Sequence, residues 1–527
     1  MRTTCLLILI FVFSHINGIA GYDQSLQKST VVKGFVYHDR SGSGTYITGK
    51  DSPLPGIAVS NGRDIVLTGA DGSYELPVSD HNTIFVIKPK NWMVPVDENQ
   101  IPRFYHIHSP QGATGTMYEG LAATGDIPES VDFPLIPRHE PDKFDVLVFG
   151  DTQPRNIEEV HYISRDMITA LTGSDAAFGV TLGDVVFDDL DLFGPLTRSI
   201  GTIGIPWVYI PGNHDIDFTA DNDRDARGAW YRTFGPSYYS FSWGPAHFIL
   251  LDNVRWIVEE GKGGYKTGLG EAQMEFLQNE LSRLEKDQLV VLMVHIPWVG
   301  STQWQDEAEK QLVFEMLSQF DNSVSLVAHT HRHYHHFIGQ EDGFPGNTPH
   351  HMISMGAVCG SWWTGAPDEY GIPHAMMSDG TPTSYALLNI DRNSWKLSWR
   401  AARRPAGFQM HIDAPDEISA EESAGLIITA NIFNALPSAN VEVKIGDKGE
   451  WTRMEKIREH DPARLAVALR EKNLENIPWR NLGGAQVSEH LWSFQNGMPL
   501  EPGTYLIHIR ARDDWWTHRG RHIIHVR

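Results

Sequence analysis

Nine side chains in the middle of this 527-residue chain are of types that could hold metal ions and move protons together. They are Asp151, Gln153, Asp184, Asn213, His214, Asp215, His295, His329 and His331. Each group follows a short apolar run that reads as a strand. Phe144 to Phe149 ends in Gly150-Asp151-Thr152-Gln153, Phe178 to Leu182 in Gly183-Asp184, and Trp207 to Ile210 in Pro211-Gly212-Asn213-His214-Asp215. Leu289 to Val294 ends in His295-Ile296-Pro297, and Ser323 to Ala328 in His329-Thr330-His331. Carboxylate, amide and imidazole donors suit Mn, Fe or Zn, whereas a site made only of oxygen would suit Mg or Ca. Two such ions about 3.5–4 Å apart can share a carboxylate, activate a water and neutralise charge on a phosphoryl group.

Ligands so far apart in sequence need a scaffold that gathers them. In an open α/β sheet the carboxyl ends of parallel strands line one edge, and sites form there. Between about Phe144 and Ile390, short strands (a sixth is His247 to Leu251) alternate with amphipathic segments such as Gly270 to Leu284, which puts Met274, Leu277, Leu281 and Leu284 on one face. This is an α/β layout. Before it, residues 31–135 alternate apolar and polar positions between Gly, Pro, Asn and Asp, the pattern of a small β-sandwich. Pro53 to Val59 and Ala70-Asp71-Gly72-Ser73-Tyr74 resemble the β-sandwich of carboxypeptidase regulatory and transthyretin-like domains. After it, residues 394–527 read as a second β-rich module without a convincing helix. There Val441, Val443 and Ile445 share one face of a strand, as do Tyr505, Ile507 and Ile509.

Composition narrows the classes further. A net charge of −23 repels nucleic acid and anionic lipid over most of the surface, so nucleic acid is excluded as a general partner. With 25 His and only 2 Cys, thiolate metal sites and disulfide scaffolds drop out. Arg2, the apolar run Leu6 to Phe13 and Gly18-Ile19-Ala20 read as a cleaved secretory signal over residues 1–20, too short to span a bilayer. The expectation is a secreted or periplasmic protein without a transmembrane segment, compatible with cell-envelope association, in which Cys359 is the sole thiol.

The ordered motifs closely resemble those of the calcineurin-like metallophosphoesterase family: Asp-x-His, Gly-Asp, Gly-Asn-His-Asp/Glu, His and Gly-His-x-His. The resemblance implies a four-layer α/β/β/α sandwich over residues 142–392 and two divalent ions, Mn, Zn or Fe. Asp151, Gln153, Asp184 and His331 would hold one ion, and Asp184, Asn213, His295 and His329 the other. His214, oriented by Asp215, would assist the leaving oxygen while metal-activated hydroxide attacks phosphorus. Gln153 stands where the family has His, exchanging an imidazole for a neutral amide, and Ala328 stands where Gly is usual. The flanking β modules look like those of an exported bacterial branch, in which Cys359 to Trp363, Ser378 to Pro382 and Ser488 to Trp492 resemble segments near the substrate.

The implied activity is hydrolysis of a small phosphomonoester or phosphodiester. A pyrophosphate-bond hydrolase and a lapsed enzyme serving as a cell-surface scaffold are the alternatives. His333, His335 and His336 read as supporting or solvated residues, and Asp188 and Asp189 as helix N-terminal or surface acids. Trp362 and Trp363 fit stacking on a substrate or packing equally well. Arg155 is read as solvated, with phosphate contact as the sharper alternative.

Overall fold

The computed structural model describes residues 30–300, 304 and 306–527; the signal sequence expected at 1–20 lies outside the described residues. Two sheets form the centre. The first contains β1 (Lys143–Phe149), β2 (Phe178–Leu182), β3 (Trp207–Ile210), and the hairpin β10 (Ser384–Asp391) and β11 (Ser394–Ala401). The second contains β4 (Tyr239–Trp243), β5 (Ala246–Leu250), β6 (Leu289–Met293), β7 (Asn322–Val327), β8 (Tyr334–Ile338) and β9 (His350–Ser354). Their orders are β3-β2-β1-β10-β11 and β4-β5-β6-β7-β9-β8. β1, β2 and β3 run parallel, as do β5, β6, β7 and β9.

Side-chain alternation along β1 explains the layering. Val146 and Val148 point into the core shared with the second sheet, where they meet Phe248 and Leu250. Leu147 and Phe149 point the other way, onto α1 (Ile157–Ile163) and α2 (Phe193–Gly201) through Val160, Ile163, Leu196 and Ile200. The far face of the second sheet is covered by α3 (Glu271–Leu281) and α4 (Glu307–Leu317), which bury Phe276, Leu277, Leu281, Val313, Phe314 and Leu317. Strands covered on both faces are apolar throughout, and β2, β3 and β6 are buried along their whole length. The result is four layers, α/β/β/α.

The N-terminal region is a five-stranded and a four-stranded sheet around Val32, Val36, Leu76, Ile84 and Val86. Its Asp71-Gly72 turn is closed by Asp71 Oδ1, which accepts from the Ser73 N–H (3.1 Å) and hydroxyl (2.6 Å), with Gly72 at φ 76°. This region shares its core with the central sheets. The Phe85 and Phe276 rings meet at 5.7 Å, and the buried Lys88 Nζ reaches both Glu140 Oε1 and the Ser242 carbonyl at 2.6 Å.

The C-terminal region is also two sheets, packed through Ile428, Ile432, Val441, Val443, Ile507 and Ile509. Two expectations change here. β11 pairs with β10 along its full length, so the central sheet continues past the boundary expected at 392–394. The C-terminal region also has a helix, α5 (Pro462–Lys472), capped by Asp461 Oδ1 accepting from the Arg464 N–H at 2.7 Å. No apolar stripe announces it, because its buried residues are Arg464 and Glu471 while Leu465 and Leu469 face solvent.

Candidate active site

The chain turns sharply at the ends of β1, β2, β3, β6 and β7, and these turns bring the sequence-predicted residues together. Asp151, Gln153, Asp184, Asn213, His295 and His331 are buried, and His329 is half-buried. Asp184, His295 and His329 each place a ligand atom within 4.8 Å of the others. His295 Nε2 lies 3.2 Å from Asp184 Oδ1, 3.2 Å from Asn213 Oδ1 and 3.3 Å from His329 Nδ1. On the other side of Asp184, Gln153 Nε2 donates to Asp184 Oδ2 at 2.6 Å, and His331 Nε2 is 3.7 Å from Asp151 Oδ1.

The surroundings fit a cation. His295 Nδ1 is 2.8 Å from the Leu182 carbonyl and His331 Nδ1 is 2.6 Å from that of Gly360, so each ring gives a proton to the backbone and turns the lone pair of Nε2 inward. Inward-facing nitrogens, carboxylates and an amide oxygen repel one another unless something positive lies among them. The titration behaviour says the same. Against the cost of burial, the Asp184 carboxylate raises His295 to about 9, so a proton is held where a divalent ion would be favoured. His329, half-buried beside His295, is pushed down to about 3 by the loss of solvent and by that neighbour, and offers a neutral ring. Gln153 is the exception: its amide nitrogen faces Asp184, and its oxygen is turned toward the Cys359 thiol, 3.7 Å away. To serve as a ligand the amide must turn over.

Backbone strain marks the same turns. Gln153, Asp184, Asp188, His329, His331 and Trp362 all have left-handed φ, between 35° and 67°. Such conformations cost about 1–3 kcal/mol each for residues with a Cβ, and they cluster where function holds them. Two glycines make room. A Cβ on Gly183 (φ 84°) would stand 2.5 Å from His295 Nδ1, and one on Gly212 would collide with the Asp184 backbone.

His214 lies at the edge of this cluster, and the acid that orients it differs from the one expected. Its Nδ1 bonds to Asp188 Oδ1 at 2.6 Å, and its ring stacks on Phe187 at 4.4 Å. Asp215 is instead wholly buried beneath the loops, accepting backbone N–H groups from Val185 (3.0 Å), Val186 (3.0 Å) and Gly212 (2.8 Å). With its carboxylate occupied by three amides, it ties the turn after β2 to the turn after β3. Burial raises Asp215 to about 7, with Asp184 adding to the effect. Asp188 was legible only as an acid four residues past Asp184; the left-handed turn that aims it at His214 leaves no mark in the sequence.

Of the segments expected near the substrate, one borders the site and two do not. Trp362 stacks on His331 at 4.1 Å, while Trp363 is buried. Asp379 and His490 belong to the junction with the C-terminal region. Asp379 Oδ2 accepts from the His333 N–H at 3.1 Å and lies 3.3 Å from His490 Nε2, whose Nδ1 meets Asn431 Oδ1 at 2.5 Å. His333 and His335 are in that junction too, both against Asn434 Oδ1, at 2.9 and 3.0 Å. His336 faces Asp342 at 2.9 Å, and Asp189 caps a short helical turn through the Asp191 N–H.

Comparison with known proteins finds family models along most of the chain. A family model described as calcineurin-like phosphoesterase matches residues 144–335, flanked by models for the N-terminal part of such enzymes at 42–119 and the C-terminal part at 353–518. The chain belongs to the calcineurin-like phosphoesterase family. This makes it a metal-dependent phosphoesterase, acting on phosphorylated substrates with divalent metal. Among solved structures it is similar to a purple acid phosphatase isolated from yellow lupin (Lupinus luteus) seeds, at 12% identity over 66% of this chain and 67% of that one, with a TM-score of 0.37. No curated protein matches the sequence. Among the described residues, no helix of this phosphoesterase is long and apolar enough to cross a membrane.

Proposed function

We propose that this phosphoesterase is dinuclear and hydrolyses small phosphomonoesters or phosphodiesters. The convergence of Asp184, His295 and His329 is the observation that carries the reading. Asp184, Asn213, His295 and His329 would hold one ion; Asp151, Gln153, His331 and the shared Asp184 would hold the other. Bound divalent ions, Mn, Zn or Fe, supply Lewis acidity that makes water nucleophilic and offsets phosphoryl charge. The protein's own part is positional. Asp151 fixes the His329 turn by accepting its backbone N–H, and Asp184 Oδ1 accepts that of His214 at 2.9 Å. His214, its Nδ1 tied to Asp188, keeps Nε2 free to hold the proton that the leaving oxygen takes up. His331 under Trp362 is shielded on one face from water. Action outside the cytoplasm, secreted or periplasmic, is part of the proposal and rests on the signal-like residues 1–20.

The test is metal analysis with turnover. Protein purified under metal-replete conditions should carry about two divalent ions and hydrolyse 4-nitrophenyl phosphate or its bis-ester. Fewer than one ion per chain, or full loading without hydrolysis of either ester, would overturn the reading. Asp184→Ala should abolish both loading and turnover.

A further inference from the structure

One cation beside the site has no role in the reading above. Arg155 follows Gln153 by two residues, at the start of α1, and is half-buried. Its guanidinium donates from Nη1 to the Trp362 carbonyl at 2.8 Å and lies 4.4 Å from the centre of the Phe187 ring. Those two partners are the aromatics that cover the site's histidines: Trp362 stacks on His331 and Phe187 on His214. The guanidinium is therefore anchored between the backbone carbonyl of the residue whose ring covers one candidate ligand and the ring over the candidate proton donor.

The acid four residues on, Glu159, is engaged elsewhere. Glu159 is occupied on Oε2 by the Arg155 backbone N–H (2.7 Å) and on Oε1 by Arg480 from the C-terminal region. One of the five N–H donors of Arg155 is spent on a carbonyl, and among the described residues its guanidinium makes no salt bridge, Glu159 being paired with Arg480. A guanidinium held beside a site that gathers cations is unfavourable unless an anion joins them. Its planar fork matches two oxygens of a phosphoryl group, and anchoring through Trp362 and Phe187 removes much of the entropy cost of making that contact.

We propose that Arg155 binds the non-bridging oxygens of the substrate's phosphate and favours doubly charged monoesters over singly charged diesters. This deepens the phosphoester reading and rests on it for the substrate class. A dianion presents a second charged oxygen to the fork, whereas in a diester that oxygen carries a substituent.

The experiment compares wild type, Arg155→Lys and Arg155→Gln for metal content, thermal melting, inorganic phosphate binding by calorimetry, and kcat/KM on 4-nitrophenyl phosphate and its bis-ester. Arg155→Gln should keep its metal and melting temperature, bind phosphate about 10- to 100-fold more weakly, and lose a similar factor on the monoester. The bis-ester should lose no more than about threefold, and Arg155→Lys should fall between, keeping the charge without the fork. Equal losses on both esters, unchanged phosphate affinity, or loss of metal would each overturn the assignment. A wild type that hydrolyses neither ester, yet binds phosphate in a manner weakened by Arg155→Gln, would leave this inference standing and remove the hydrolase reading instead.

Discussion

Replacing Asp188 by Asn tests the reassignment of the acid behind His214. The change removes the negative charge from a hydrogen bond of 2.6 Å while keeping the side chain's size. Hydrogen bonds to charged groups contribute about 1.5–3 kcal/mol. The Asp188 side chain is 43% exposed, so water competes and the lower part of that range applies, about 1.5–2 kcal/mol. At about 1.4 kcal/mol per decade, kcat should fall roughly 10- to 30-fold. KM should hardly move, because the interaction matters when the proton leaves His214. The loss should be larger on an alkyl phosphate than on 4-nitrophenyl phosphate, since nitrophenolate departs with little help from a proton. The pH profile adds a second readout. Burial disfavours the charged ring, but the Asp188 hydrogen bond and the charges of Asp184, Asp188 and Asp215 hold His214 above its ordinary value. A proton donor works below its pKa, so Asp188→Asn should shift the alkaline limb to lower pH. Asp215→Asn should behave differently, disturbing three buried amides, lowering the melting temperature and weakening metal uptake. Full activity in Asp188→Asn, or a stable Asp215→Asn with the same leaving-group dependence, would refute the reassignment.

Other outcomes follow from the same structure. Gln153→His restores an imidazole in place of the amide and should tighten the weaker of two metal-binding steps by about tenfold or more in a metal titration. Acid should destabilise the fold through His333, His350 and His351, which burial depresses to about 4, 3 and 3 from an unfolded value near 6.5. Their unfolded forms bind protons that the folded forms refuse, so stability is present above pH 6.5 and is lost as pH falls toward 3–4. Linkage gives about 1.2 kcal/mol per ring between pH 7 and 5.5, about 4 kcal/mol for the three, measurable by denaturant melts at fixed metal. Lys88→Met strands Glu140, which has no solvent exposure of its own, and should cost about 3–5 kcal/mol. Lys88→Met with Glu140→Gln together should recover part of that loss in the same melts.

Much of the framework was readable because burial leaves a simple signature. β2 and β3 begin and end where their apolar runs do, and the residues just past them are the polar ones that the sheet edge collects. α3 was legible from Leu277 and Leu281, although Phe276 is more deeply buried than the expected Met274. The sequence was silent where polar groups are buried against other polar groups. α5 turns Arg464 and Glu471 inward, which reverses the pattern that identifies a helix. The exchange of Asp188 for Asp215 depends on φ values of 47° at Asp184 and 64° at Asp188, and no residue type announces a left-handed aspartate. The continuation of the central sheet into β11 leaves no mark in the sequence, because a strand edge shows no boundary when chain and sheet continue together.

The junction built on Asp379, Asn434 and His490 has a consequence for how this protein can be divided. It holds the chain at His333 and His335, two and four residues beyond His331. Cutting after Ala401 would strip those histidines of their amide partner and leave Asp379 without His490, opening to water the strand that follows the last metal-capable turn. The catalytic sheets are therefore not a portable cassette. Any recombination that exchanges the C-terminal region must carry Asn431, Asn434 and His490 with it, and lineages that vary their outer modules would have to keep this seam or move the histidines inside the sheet.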